Sequence, residues 1–215
     1  MGRVIQPKVT IWGRANSVNV QKVLWCCEEI GLAFDRIDAG LSFGRNKEPE
    51  FLSMNPNGRV PTLVEDDFVL WESNTILRYL VQKHGANDEL YPSELRRRAA
   101  VDKWLDWTIS SYGHVERDLY WGLVRTPEHE RDVPKINAIA DQLTDLWRIV
   151  DGSLAGNRYL ANDQFSIADI CLGAYARRWY GFARLDRPAL TRLADWHETI
   201  AQRQGYQLYL TAPMT

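Results

Sequence analysis

The chain has 215 residues, with 26 basic and 28 acidic side chains giving a formal net charge of −2, and it is 45 % apolar and 25 % charged. That balance suits a globular protein with a sizeable core, organised as one large domain or two small ones, and it provides no concentrated positive charge with which to hold a nucleic acid. No run of roughly 18 apolar residues suits a membrane span, and no apolar leader precedes a small-residue cleavage site, so the expectation is a cytoplasmic protein without a membrane partner. Three cysteines, Cys26, Cys27 and Cys171, form neither a disulfide framework nor a C-x-x-C pair. The four histidines have no metal-ligand spacing, and no metal is expected.

Residues 8–12, KVTIW, have the β-branched and aromatic character of a strand, and Gly13 marks the turn after it. From Asn19 the residues Val20, Val23, Leu24 and Cys27 make one apolar helical face that Gly31 ends. A second strand falls in AFDRIDAG, and a Gly/Asn-rich loop over 40–48 leads to a short helix opening at Pro49. Asn55-Pro56-Asn57-Gly58 is dense turn chemistry. Two strands then flank the Asp66-Asp67 turn as a hairpin with Pro61 at a strand edge or start, and Glu72 or Ser73 stands at the N-cap of a helix carrying Ile76, Leu77, Leu80 and Val81. The order is β-α-β-α-β-β-α.

Residues 86–95, ANDELYPSEL, read as a linker, with a boundary near 86–92. Only helical patterns follow, over 94–122, 132–155, 166–181 and 189–203. Most of the nine tryptophans and nine tyrosines fall after residue 100, and large rings at helical spacing fit a core before they fit a ligand platform. Ser166 and Asp169 have the spacing of a capping box, with Phe165 and Ile170 at the staple positions.

This arrangement resembles the cytosolic glutathione transferase family, from Val9 to about Tyr206. The resemblance rests on Asn55-Pro56-Asn57-Gly58-Arg59-Val60-Pro61-Thr62-Leu63, on Trp71-Glu72-Ser73 and on Phe165-Ser166-Ile167-Ala168-Asp169. It implies a thioredoxin-like α/β domain at 1–85, which binds glutathione, and an all-α domain at 92–215, which contributes the pocket for an electrophile. It also implies a cis peptide before Pro61 and a homodimer.

The same resemblance implies roles for individual residues. Glu72 would bind the γ-glutamyl ammonium and Ser73 the adjacent carboxylate, chemistry that suits a carboxylate and a hydroxyl beside free helix N–H groups. Val60 would pair its backbone with the cysteinyl part, as an extended peptide adds to a sheet edge. Arg59 and Lys47 are candidates for the glycyl carboxylate, with Asn46 competing with Lys47. For Glu72 and Ser73 the alternative is helix capping alone.

Family members activate the thiol with a tyrosine, serine or cysteine near the end of the first strand. No tyrosine or cysteine precedes Cys26, and Ser17 falls where theta-like, serine-type members keep a serine. Lowering a thiol pKa by two units takes about 2.7 kcal/mol, within reach of a hydrogen bond to a charged group at roughly 1.5–3 kcal/mol. Helix N-capping is the alternative for Ser17. Asn19 stands where a proline is often found, and Asn16 or Asn19 could share the donor role.

Candidates for the electrophile pocket are Arg14, Trp107, Tyr112, Trp121 and Trp179. The function implied is attack of the glutathione thiolate on an apolar electrophile. Glutathione-dependent thiol/disulfide exchange and non-catalytic ligand binding are the alternatives.

Overall fold

The computed structural model describes residues 9–86, 88–183, 185–212 and 214. The chain divides into two compact units, 1–86 and 87–215. Lys8, where the first strand was expected to begin, lies outside the described residues.

The first unit runs β1 (Val9–Trp12), α1 (Val18–Glu29), β2 (Asp35–Ile37), a 3-10 turn at Leu41–Phe43, α2 (Pro49–Met54), β3 (Thr62–Glu65), β4 (Phe68–Trp71) and α3 (Ser73–His84). Its sheet has the order β2-β1-β3-β4, with β1 parallel to β2, and β3 antiparallel to both β1 and β4. The two-residue side-chain period sends Ile11 and Leu63, both fully buried, to one face and Trp12 to the other. Trp12 meets Phe51 of α2 edge-on at 6.0 Å, in a cluster with Ala39 that Ile37, Met54, Val60 and Val64 extend. Helices α1 and α3 pack on one another, and Glu65 fastens α3 to β3. Its buried carboxylate accepts from Tyr79 Oη at 2.6 Å and lies 3.1 Å from Lys83 Nζ and 2.9 Å from His84 Nε2. Burial works to raise that carboxyl's pKa, and the hydrogen bonds from Tyr79 and Lys83 overcome it and lower it. The C-terminal end of α3 is thereby anchored to the sheet.

The second unit is helical: α4 (Leu95–Trp107), α5 (Gly113–Tyr120), α6 (Val133–Ser153), α7 (Ile167–Gly181), α8 (Thr191–Ala201) and α9 (Gln204–Leu210). Two π-helical segments, Thr108–Tyr112 and Trp121–Arg125, interrupt the 94–122 stretch expected as one helix. Helix α9 was not anticipated, because Gly205 reads as a stop; in the structure it is buried in the first turn of α9.

Helix α7 is the axis of this unit, with Ile167 to Ala176 buried without a break, and it packs on α4 and α8. The expected capping box forms. Ser166 Oγ accepts from the Ala168 N–H at 3.3 Å, and Asp169 Oδ2 accepts from the Ser166 N–H at 2.9 Å and from the Ser166 hydroxyl at 3.0 Å. Asp169 Oδ1 also accepts from the Leu160 N–H at 3.0 Å and Trp196 Nε1 at 2.9 Å, so one buried carboxylate joins three segments. Among the described residues no helix is long and apolar enough to cross a membrane.

Candidate functional site

The site of the first unit is built by three polar ends of secondary structure. The loop 55–61 is shaped by Asn55, a buried side chain whose Nδ2 donates to Arg59 O at 2.9 Å and to Thr62 Oγ1 at 3.0 Å. Its Oδ1 accepts from the Asn57 N–H and from Asn57 Nδ2, each at 3.1 Å. Gly58 completes the loop with φ +60°, and a Cβ there would lie 2.8 Å from Asn46 O and 2.9 Å from Lys47 Nζ. The loop delivers a cis Val60–Pro61 bond directly before β3, whose ladder begins at Thr62 opposite Trp12 and Trp71.

At the same open end of the hairpin, Glu72 is the N-cap residue of α3 with φ +75° and ψ 108°, a conformation rarely held by a residue with a side chain. Its carboxylate makes no capping bond, and no acidic residue lies in the first turn of α3. The helix therefore presents its first N–H groups, with their partial positive charge, to what lies outside it. Ser73 donates from Oγ to Asn19 Oδ1 at 3.3 Å, tying the start of α3 to the first turn of α1.

Around these elements lies a cavity of about 140 Å³ whose walls include Asn19, Arg59, Val60, Pro61, Glu72 and Ser73. Asn55, Asn57 and Trp71 complete the lining. The candidates Arg59, Val60, Pro61, Glu72 and Ser73 are thus brought to one place. Lys47 is exposed and packs its Nζ over Gly58, while Asn46 donates from Nδ2 to Gly58 O at 2.7 Å. Asn55, Asn57 and Trp71 stand in the motifs that carry the resemblance, but the sequence assigns none of them to the site.

Ser17 occupies the N-cap of α1, 6 % exposed, and its side chain makes no capping hydrogen bond. It stands two residues before Asn19 of the cavity wall. Cys26 and Cys27 are buried on α1, and burial pushes both thiols up, Cys27 to about 12, so both stay protonated.

Of the five residues expected around an electrophile, Trp107, Tyr112, Trp121 and Trp179 lie in the second unit and Arg14 in the first. Tyr112 and Trp179 are core rings, 0 % and 2 % exposed, because each lies on the interior face of its helix. There Tyr112 meets Trp147 at 5.0 Å and Tyr175 at 5.2 Å, and Trp147 meets Trp179 at 6.2 Å. Trp107 is half-buried against Trp104 and Tyr112. Trp121 is 54 % exposed and borders a cavity of about 350 Å³ with Ile136, Ile139 and Lys135. Arg14 belongs to the first unit, where its Nη1 would lie 3.2 Å from a Cβ on Gly40. Among the described residues no group of three histidine, cysteine or acidic side chains is placed to hold a metal ion.

Comparison with known proteins agrees with this architecture. Residues 7–82 match the sequence profile of the glutathione S-transferase N-terminal domain, and residues 101–204 that of the C-terminal domain. The chain is 37 % identical to the glutathione S-transferase GstB of Escherichia coli over 96 % of its own length and all of that protein, and 31 % identical to glutathione S-transferase 3 of Zea mays, covering 94 % of this chain and 93 % of the relative. A theta class glutathione S-transferase from Xanthomonas axonopodis pv. citri, solved with glutathione bound, superposes with a TM-score of 0.92 at 43 % identity, over 98 % of this chain and 100 % of that one. With both family profiles matched in order, and a cis-proline strand edge meeting an open helix N-terminus in the first unit, the chain belongs to the glutathione S-transferase family.

Proposed function

We propose that this chain activates the thiol of glutathione as a thiolate and directs it at an electrophilic centre of an apolar second substrate. The observation that carries the reading is the cavity where the Val60–Pro61 strand edge meets the bare N-terminus of α3. An extended tripeptide with two carboxylates and one ammonium has a complementary partner at each point. Glu72 takes the γ-glutamyl ammonium. Ser73 turns its hydroxyl from Asn19 Oδ1 to the adjacent carboxylate, which the first N–H groups of α3 also hold. Val60 pairs its backbone with the cysteinyl residue, and Arg59, with Lys47 beyond it, takes the glycyl carboxylate.

Ser17 then donates its hydroxyl to the sulfur. Its hydroxyl oxygen accepts no capping bond, and the N-terminus of α1 adds a favourable field for an anion. Asn16 and Asn19 flank that position and share in shaping it. The protein activates and orients, and the glutathione sulfur is the nucleophile, forming a thioether as the leaving group departs with its electron pair. The helical unit contributes apolar surface for the electrophile through Trp107 and Trp121, the two rings of the candidate set that are not fully interior. We assign the chain to the cytoplasm and to a homodimer, as its family resemblance implies. Sedimentation that yields a dimer mass over a wide dilution range supports the second point, and a monomer mass throughout contradicts it.

Thiol/disulfide exchange is the weaker reading, because the two cysteines of the first unit are buried and protonated. Calorimetry with glutathione on the wild type and on Glu72→Gln tests the site. The variant loses a charge-assisted bond of roughly 1.5–3 kcal/mol, so its Kd rises by about 10- to 100-fold. Equal affinity in the two proteins sinks the assignment.

A further inference from the structure

We propose that the cavity of about 350 Å³ beside Trp121 binds a small aromatic anion, an arylcarboxylate, at a site that shares no residue with the glutathione cavity. Its walls all lie between Asp118 and Ile139 of the second unit, where the end of α5 passes through the π-helical segment Trp121–Arg125 and the chain returns as α6. The turn is held by its own polar groups. Trp121 O accepts from the Thr126 N–H at 2.9 Å and from Thr126 Oγ1 at 3.0 Å, and Arg131 donates from Nε to Thr126 O at 3.0 Å and from Nη2 to Leu123 O at 2.7 Å. At Gly122 the two limbs approach closely, because a Cβ there would lie 2.9 Å from Ile136 Cγ1. The cavity is therefore built by the fold itself, and its volume falls within the roughly 300–1,000 Å³ of small-molecule sites.

The lining separates by chemistry. Ile136 and Ile139 of α6 form an apolar wall, and the Trp121 ring, 54 % exposed, is a large apolar surface that a flat ligand can cover. The charged groups are unequally matched. Asp118 accepts from Arg117 Nε at 3.0 Å and Nη2 at 2.9 Å, Asp132 Oδ1 accepts from the Lys135 N–H at 3.0 Å as the cap of α6, and Glu130 lies 3.4 Å from His129 Nε2. The two cations have no such match. The Arg131 guanidinium is fixed by two carbonyls, which orient it without neutralising it, and among the described residues no carboxylate pairs with it or with the exposed Lys135 ammonium. A carboxylate on a planar ring answers both halves of the cavity: the anion meets Arg131 and Lys135, and the ring is buried against Trp121 and the isoleucines.

The test is calorimetry of the full chain with three naphthalene probes of one shape and different charge, 2-naphthoate, 2-naphthamide and 2-naphthylmethylammonium, in excess glutathione so that the glutathione cavity is filled. The wild type binds 2-naphthoate at least about 5-fold more tightly than either of the others. Lys135→Glu places an acid in the first turn of α6, where the helix field favours it, so the fold and the glutathione affinity are retained. Its Kd for 2-naphthoate rises about 3- to 20-fold, while that for 2-naphthamide changes by less than about twofold. Ile139→Trp fills the cavity and weakens both probes by about 10-fold or more. Three results overturn the proposal: a wild type that does not bind 2-naphthoate at about 1 mM, a preference for the ammonium probe, which would make the acids of the lining the dominant charges, or an unchanged 2-naphthoate Kd in Lys135→Glu, which would place the probe elsewhere on the protein. Lys135→Glu decides on its own if Ile139→Trp does not fold.

Discussion

A helix in each unit begins at a serine, and the two serines are used in opposite ways. Ser166 of the second unit is consumed within the fold: its hydroxyl caps α7 and bonds Asp169, whose remaining acceptors are taken by Leu160 and Trp196. Ser17 of the first unit is equally buried, yet its hydroxyl leaves the cap of α1 unmade. The same contrast runs through the surroundings. In the second unit the polar groups at the start of α7 close on one another, whereas in the first Glu72 is held at positive φ with its carboxylate off the helix it precedes. A saturated cap is a folding device. An unmade one beside a cavity is a feature the fold maintains at a cost in stability, and a ligand that uses the exposed groups explains it.

This comparison can be broken first at Asp169. Asp169→Asn turns one acceptor oxygen into a donor facing the Ser166 N–H and removes half of the capping box. The expected loss is about 3–5 kcal/mol, seen as a fall of about 10 °C or more in Tm. A variant melting with the wild type would mean that α7 is held by packing alone. Ser17→Ala is expected to do the reverse, leaving Tm almost unchanged and lowering kcat at neutral pH by about 10- to 1,000-fold.

Acid offers a third test. Burial holds His197, stacked on Tyr180 and hydrogen-bonded to Tyr206 Oη at 2.8 Å, down at about 4 against an ordinary 6.5. The unfolded chain therefore takes up the proton first as pH falls. The contribution of His197 is complete above about pH 6.5 and is lost between 6.5 and 4, on the order of 2–3 kcal/mol. His197→Phe, which keeps a ring on Tyr180, should flatten the stability curve in that window, and an unchanged slope would assign the acid loss to other groups. The smallest effect is at Glu72. Glu72→Gly relieves the positive φ and should raise stability by up to about 1 kcal/mol while glutathione affinity falls, and a variant that loses stability would show that no strain is held there.

Much of this was legible in the sequence because it rests on local chemistry. The strand and helix order of the first unit, the hairpin around Asp66-Asp67 and the Ser166/Asp169 box follow from turn residues and spacing, and each is present in the structure. Arg59, Val60, Pro61, Glu72 and Ser73, named from the resemblance, line one cavity. What escaped depends on tertiary contacts. The π-helical segments flanking α5 leave no mark on a 3.6-residue pattern, and Gly205 at the start of α9 looks like a terminator when its burial is unknown. Interior and exterior rings share one composition, so Tyr112 and Trp121 could not be separated before packing was known.

The central claim is that the first unit turns a bound thiol into a thiolate at Ser17. A pH titration of the thiolate absorbance of glutathione bound to wild type and to Ser17→Ala tests it most directly. The account predicts a bound-thiol pKa one or more units below that of free glutathione, returning toward the free value in Ser17→Ala while binding persists. A wild-type complex that titrates like free glutathione, or a Ser17→Ala complex that titrates like wild type, would contradict it.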